Sequence, residues 1–377
     1  MDTLSLVIFI LAFSGMVIIH EFGHFIVARW CGIEVEEFGV GLPTPGAITL
    51  FRWKGTRFTL NWLPLGGFVR PKGENDPTIA GGLAAASPWK RLAVLFAGPA
   101  MNLITAVVIF SLIISISGGI ITTQPEGSAN SRVMLTNILP NGPAKQAGLQ
   151  VGDILISGAG QLIKNSDDIH NVVVANVDKP VLFVVERAGK QIEVTVTPEF
   201  NQAEQRPMIG IEFCGGCAFK PITSLGENIL TSLRYTGNQI YALVTLPVKL
   251  LRGTIAPDQG RLVGLKGIYD IMKQSVQNDV DASQAPVSTA SSPTPYNRPV
   301  QTLFLIAALS ISLGVFNLFP IPALDGGRII FVLPEIIIRR RVPAQFENLV
   351  HGLGMTVLLL FMIYVNVMDF INPVAIP

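Results

Sequence analysis

The chain has 377 residues, enough for more than one folding unit. Hydrophobic residues make up 49% of it and charged residues only 14%, a balance typical of membrane proteins. The formal net charge of +1 excludes a global basic field that would recruit nucleic acid. Three cysteines are too few for a disulfide framework.

Four apolar segments are long enough to cross a bilayer, which takes about 20 residues of helix. No basic residue precedes the first segment, so we read it as a retained membrane helix rather than a cleaved signal peptide. The sequence therefore predicts a polytopic α-helical membrane protein with transmembrane helices at about 4–27, 92–125, 300–324 and 349–367.

The distribution of lysine and arginine predicts the orientation of these helices. Basic residues cluster in the loop between the first two helices and in the loop between the last two, and both terminal tails lack them. By the positive-inside rule both loops are cytoplasmic, and both termini lie outside the plasma membrane. The long region between the second and third helices is then external as well.

The loops carry structure of their own. Ala47–Arg52 and Thr56–Asn61 have strand-like composition around a Lys54-Gly55 turn, which predicts a membrane-associated β-hairpin on the cytoplasmic side. The external region begins with a β-rich module and continues with two amphipathic helices, at 225–251 and 262–276, and a Ser/Pro-rich linker at 282–299. The predicted order is a first transmembrane helix (1–30), a cytoplasmic loop (31–90), a second transmembrane helix (91–125), the β-rich module (128–200), amphipathic helices with the linker (201–299), a third transmembrane segment (300–327), and a cytoplasmic loop with the last helix (328–377).

The first helix contains an HExxH motif. His20 and His24 are four residues apart and share one helix face, so their imidazoles can hold one zinc ion. Glu21 lies beside them, where it can accept a proton from the water that zinc activates. Interfacial polar residues at a helix end would be the plain alternative, but a glutamate after about fifteen apolar residues is costly in lipid without a partner.

A catalytic zinc needs a third protein ligand. His170 falls in the external module, on the opposite side of the membrane, whereas His351 opens the last helix and could reach the site. Asp325 follows a segment broken by Pro320 and Pro322, and irregular backbone at membrane depth is tolerated where it lines a cavity. We favour Asp325 as the ligand, with a helix cap as its alternative role.

At this point the motifs resemble the site-2 protease family of intramembrane zinc metalloproteases. The likeness is carried by HEFGH at 20–24, GPAMN at 98–102 and NxxPxPxLDG at 317–326, and it covers nearly the whole chain in the same order. The closest likeness is to the bacterial branch that cleaves anti-sigma factors and signal-peptide remnants. PLGGFV at 64–69, followed by Gly73-Glu74, resembles the membrane-associated hairpin of that branch.

The resemblance implies zinc held by His20, His24 and Asp325, with Glu21 as general base. It implies that Asn317 positions the substrate and that Asn102, at a second family position near the site, is a further candidate for that role. Hydrogen bonding between helices is the alternative role for both asparagines.

The external module resembles the PDZ domains of bacterial proteases through GLQVGDIL at 148–155. Such domains bind extended peptide ends, which implies peptide contacts at Gly148, Leu149 and Gly152. A module that only shields the active site is the alternative. The spacing of Cys214 and Cys217 fits either a local disulfide or two unpaired cysteines in a turn.

These features together predict an intramembrane zinc endopeptidase with Zn²⁺ as its cofactor and an active site toward the cytoplasmic side of the bilayer. Its expected substrates are single-pass membrane proteins, which an upstream protease could trim first. No nucleic acid is expected as a partner. The alternative function is a membrane metal-handling or transport protein that uses His20 and His24 as a transit site.

Overall fold

The computed structural model describes residues 2–63, 66–74, 76–123, 132–139, 142–187, 190–201, 206–253, 261–284 and 299–372. The chain forms two compact units, which we describe separately. The first unit comprises 1–110, 230–277 and 301–377, and the second comprises 111–229 and 278–300.

The helices and strands follow in chain order. The helices are α1 (Asp2–Trp30), α2 (Pro88–Ser117), α3 (Pro143–Gln146), α4 (Ser166–Ala175), α5 (Leu225–Leu251), α6 (Leu265–Gln284), α7 (Gln301–Leu318), α8 (Asp325–Ile338) and α9 (Ala344–Ile371). The strands are β1 (Val35–Val40), β2 (Ile48–Trp53), β3 (Thr56–Leu60), β4 (Gly67–Pro71), β5 (Gly119–Thr123), β6 (Val133–Ile138), β7 (Ile154–Gly158), β8 (Gln161–Leu162), β9 (Val181–Arg187), β10 (Lys190–Val196), β11 (Glu199–Asn201), β12 (Arg206–Met208), β13 (Ile211–Gly215) and β14 (Cys217–Pro221).

Among the described residues, four helices are long and apolar enough to cross a membrane, as predicted: α1, α2, α7 and α9. Two of them end several residues earlier than predicted. The second helix stops at Ser117 rather than at 125, because Gly118 adopts φ +73° and the chain continues as β5. The third stops at Leu318 rather than at 324, and 325–338 forms α8 where a loop was predicted.

The predicted hairpin is part of a larger sheet. β2 and β3 pair as an antiparallel hairpin, but β3 also pairs in parallel with β1, and β1 pairs antiparallel with β4. The strand order is β2-β3-β1-β4, which leaves β4 on an edge. One face packs on α1 through a buried cluster that includes Phe25, Phe38 and Val35. The prediction missed β1 because its sequence, VEEFGV, lacks a regular alternation of apolar and polar residues.

A buried carboxylate ties three strands of this sheet together. Glu37 accepts hydrogen bonds from Arg57 (2.9 Å) and Thr59 (2.8 Å), and Arg70 lies 3.3 Å away. Burial alone would raise the pKa of Glu37. The hydrogen bonds and the two guanidinium charges outweigh burial and hold that pKa below its usual value.

The β-rich module of the second unit is built on a sheet of order β10-β9-β7-β6-β13, with β8 paired to β7. Leu135, Leu155, Phe183 and Val185 form its fully buried core. The module extends beyond the predicted boundary at 200, because β13 returns to pair with β6. Cys214 in β13 and Cys217 at the start of β14 form a disulfide.

The region after the module contains the predicted amphipathic helices. α5 spans Leu225–Leu251 as predicted, and α6 begins at Leu265 and continues to Gln284. Most of the predicted linker, at 285–298, lies outside the part of the chain that the structure describes.

Candidate metal centre

Two histidines of α1 form the first half of the site. α1 is apolar along most of its length, and a helix satisfies the backbone of such a segment internally. His20 and His24 therefore lie one above the other on a single face. Their Nε2 atoms are 3.2 Å apart, and only 8% and 12% of the two side chains is exposed.

Asp325 supplies the other half from a distant part of the chain. It is the first residue of α8 and follows the irregular stretch at 319–324. Its Oδ2 lies 3.1 Å from His20 Nε2 and 3.3 Å from His24 Nε2. The N-cap position of α8 is occupied by Leu324, so the alternative role of Asp325 as a helix cap is wrong.

The donor set fits zinc. Zinc bonds to imidazole nitrogen and carboxylate oxygen are about 2.0–2.1 Å long, so the corners of a tetrahedral site are about 3.3–3.4 Å apart. The three donor atoms of His20, His24 and Asp325 are separated by 3.1, 3.2 and 3.3 Å. Three protein donors also leave one position open, as catalytic zinc sites require.

A glycine of α2 leaves space beside the donors. A Cβ at Gly98 would lie 2.3 Å from His24 Nε2 and 2.8 Å from His20 Nε2. Gly23 on α1 makes the matching close approach, since a Cβ there would lie 2.4 Å from the Ala97 carbonyl oxygen. Two glycines thus let α1 and α2 approach closely at the level of the histidines.

Hydrogen bonds on the far side of each ring orient the imidazoles. His24 Nδ1 lies 2.7 Å from the Val94 carbonyl oxygen, in the turn of α2 before the kink residue Pro99. His20 Nδ1 lies 3.1 Å from the amide nitrogen of Asn102, whose Oδ1 is buried without a hydrogen-bond partner among the described residues. A histidine that binds metal through Nε2 carries its proton on Nδ1, so rotating the Asn102 amide brings Oδ1 into position to accept it.

Asn102 makes the hydrogen bond between helices that was the alternative role for it. Its side chain is fully buried against His20, so it orients a donor, and its proposed contact with substrate stays a prediction. Asn317 donates a hydrogen bond to the Leu313 carbonyl of its own helix, and its proposed contact with substrate stays a prediction.

Glu21 lies between the donor cluster and the edge of the sheet. Its carboxylate lies within electrostatic range of His20, His24 and Asp325. Its Oε2 accepts a 3.1 Å hydrogen bond from the backbone N–H of Val69 in β4. Sequence reasoning missed this contact, because β4 meets α1 only in the folded unit.

The candidate peptide residues of the module serve its core and its turns. Leu149 is 2% exposed and belongs to the core, which makes its predicted peptide contact wrong. Gly148 and Gly152 adopt φ +86° and +91°, so both serve turns that favour glycine. A groove of about 300 Å³ lies elsewhere, between α4 and the segment 206–213; His170 and Ile211 are on opposite sides of it.

Comparisons with known proteins agree with the site. The sequence pattern of peptidase family M50 matches residues 8–361. A protein of Clostridium perfringens named a zinc metalloprotease is 32% identical over 97% of this chain and 98% of its own length. A Campylobacter jejuni protein with the same description is 31% identical over 96% of this chain and 91% of its own length.

A solved structure resembles part of the chain. It is the PDZ domain of an SdrC-like protein from Listeria monocytogenes, which is 18% identical and has a TM-score of 0.21. The match covers 24% of this chain and 92% of that domain. The family match and these two relatives show the family: the chain belongs to peptidase family M50, the site-2 protease family, and is a zinc metalloprotease.

Proposed function

We propose that this protein hydrolyses peptide bonds within the transmembrane segments of other membrane proteins. The observation that carries the proposal is the position of the donors along the chain. His20 and His24 lie inside one membrane-long helix, and Gly98 and Asn102 on a second such helix pack against them. A peptide bond must therefore come to the level of these helices to be cleaved.

In this mechanism His20, His24 and Asp325 hold the zinc ion. Zinc, when bound, lowers the pKa of a water molecule and polarises the carbonyl of the scissile bond. Glu21 accepts the proton from that water and passes it to the leaving amine. The backbone N–H of Val69 holds the Glu21 carboxylate at the edge of the donor cluster.

The substrate must be extended where it is cut, because the amides of a helix are bonded internally. β4 is an edge strand of the sheet. Its residue Val69 lies opposite Phe38 of β1, and the Val69 N–H donates to Glu21. We propose that the unwound substrate adds as a strand to this outer edge of β4. Strand addition would set the scissile bond beside Glu21.

The module of the second unit acts as a filter in this proposal. Its sheet ends at the edge strand β13, and a groove lies beside that strand, where a trimmed carboxyl end could dock. The Cys214–Cys217 disulfide favours an oxidising, external environment for it. The substrates we propose are single-pass proteins such as anti-sigma factors or signal-peptide remnants, shortened first by another protease.

The proposed orientation in the plasma membrane follows the positive-inside rule. The basic residues of 52–91 and 328–341 mark the cytoplasmic side, and both termini lie outside. The zinc site then lies toward the cytoplasmic leaflet.

The test is cleavage of candidate single-pass proteins by the intact protein and by Glu21→Gln. We expect the variant to bind zinc at the same stoichiometry and to cleave about 10²–10⁴-fold more slowly. The exposed residue Glu36 provides a matched control, and Glu36→Gln should cleave like the parent protein. Cleavage by Glu21→Gln at the parent rate would contradict the mechanism. A metal transporter would instead move zinc across vesicles, and Glu21→Gln would not abolish that flux.

A further inference from the structure

The turn that presents Asp325 has an unusual backbone. After α7 the chain passes through Pro320 and Pro322, and Ala323 adopts φ +80°, a conformation that L-residues rarely take. Within the turn, Leu324 N–H donates to the Ile321 carbonyl at 3.2 Å. Such a backbone persists only where its surroundings hold it.

A histidine of α9 accepts a hydrogen bond from this turn. Ala323 N–H donates a 2.9 Å hydrogen bond to His351 Nδ1. His351 therefore carries its proton on Nε2, which is buried and has no hydrogen-bond partner among the described residues. The ring centroids of Phe331 on α8 and of the His351 imidazole are 5.3 Å apart, so Phe331 packs the imidazole against the turn. His351 was a candidate third ligand in the sequence, but its Nδ1 accepts a hydrogen bond from the backbone.

A glycine of α9 packs on the same turn. A Cβ at Gly354 would lie 2.3 Å from Pro322 Cβ and 3.0 Å from the Pro322 carbonyl oxygen. Gly354 follows His351 by three residues and so lies on the same helix face. Gly352 on α9 is different, because no described atom lies within 4 Å of a Cβ placed there.

We propose that His351 and Gly354 form a brace on α9 that positions the Asp325 carboxylate for metal binding while contributing no ligand themselves. The contact acts through two peptide units, from Ala323 to Asp325. Without the acceptor at His351, the positive-φ turn relaxes and Oδ2 moves away from the two imidazoles. The inference rests on the proposed role of Asp325 as the third ligand.

The experiment measures zinc affinity by competition with a chromophoric chelator, and the visible absorption of the cobalt(II)-substituted protein, whose bands report the donor set. His351→Ala and Gly354→Ala should each weaken zinc binding roughly 10–100-fold, the range found when groups that orient ligands are removed, and should alter the cobalt bands. His351→Asn should recover most of the affinity, because the asparagine Oδ1 can take the place of Nδ1 as acceptor. Gly352→Ala should leave both measurements unchanged. Thermal unfolding of each metal-free variant tests whether that variant folds.

Unchanged affinity and cobalt bands in His351→Ala and Gly354→Ala would overturn the brace. Equal impairment of His351→Ala and His351→Asn would overturn the role of the hydrogen bond. Should His351→Ala fail to fold, Gly354→Ala and His351→Asn decide the question. Asp325→Ala distinguishes a failure of the brace from a failure of the proposed function. Normal zinc binding by that variant would refute the ligand set. A strong loss of zinc affinity in Asp325→Ala, with unchanged affinity in His351→Ala and Gly354→Ala, would refute the brace alone.

Discussion

Gly98→Ala provides the most direct test of the metal centre. The added methyl would lie 2.3 Å from His24 Nε2 and 2.8 Å from His20 Nε2, whereas ordinary contacts begin at 3.4 Å. The overlap with His24 exceeds 1 Å, so that ring must move. It cannot retreat without losing its 2.7 Å hydrogen bond to the Val94 carbonyl, and the close approach of Gly23 to Ala97 limits any shift of α1.

The expected result is the loss of at least one donor from the cluster. Removing groups that merely orient ligands lowers metal affinity about 10–100-fold, so displacing a ligand should cost about 100-fold or more, which is about 2.7 kcal/mol. Zinc content by mass spectrometry and chelator competition measure the effect. The matched control is Gly15→Ala on α1, where no described atom lies within 4 Å of the added carbon and zinc binding should be normal. A Gly98→Ala protein that folds and binds zinc with unchanged affinity would refute the geometry of this site.

Three further predictions follow from the other contacts. Asp325→Ala should reduce bound zinc strongly, because two imidazoles alone leave the metal short of a ligand; normal zinc content by metal analysis would reject Asp325 as a donor. Folding lowers the pKa of Glu37, so the contribution of its carboxylate to stability is complete above the unfolded pKa of about 4.3 and is lost as the pH falls through the folded pKa. The thermal stability of Glu37→Gln in detergent should therefore lie below that of the parent protein at neutral pH and converge with it in acid. A difference in thermal stability that stays constant with pH would contradict this linkage. Replacing 132–215 with a flexible linker should preserve zinc binding and allow cleavage of untrimmed substrates, and continued rejection of long substrates by the folded variant would make the module a docking site for a partner instead.

The local features of this protein could be predicted from the sequence. The four apolar segments predict membrane-long helices because bilayer thickness sets a minimum length, and the structure confirms all four. The pairing of His20 with His24 follows from helix periodicity, which needs only four residues of chain. The motifs also indicated the family, and the comparisons confirmed it.

Only the tertiary structure decided how distant segments complete the site. Asp325 reaches His20 across 305 residues, and the sequence alone left its role as ligand or cap open. β1 was not predicted, and neither was its pairing: it pairs in parallel with β3 and antiparallel with β4, and both partners lie further along the chain. The groove of the module was misplaced because a glycine-rich motif is compatible with both a turn and a binding loop, and burial of Leu149 decides between them. The remaining contacts depend on a missing side chain, at Gly98, and on backbone N–H groups, in the bonds of Val69 to Glu21 and of Ala323 to His351. The order of side chains in the sequence does not indicate such contacts.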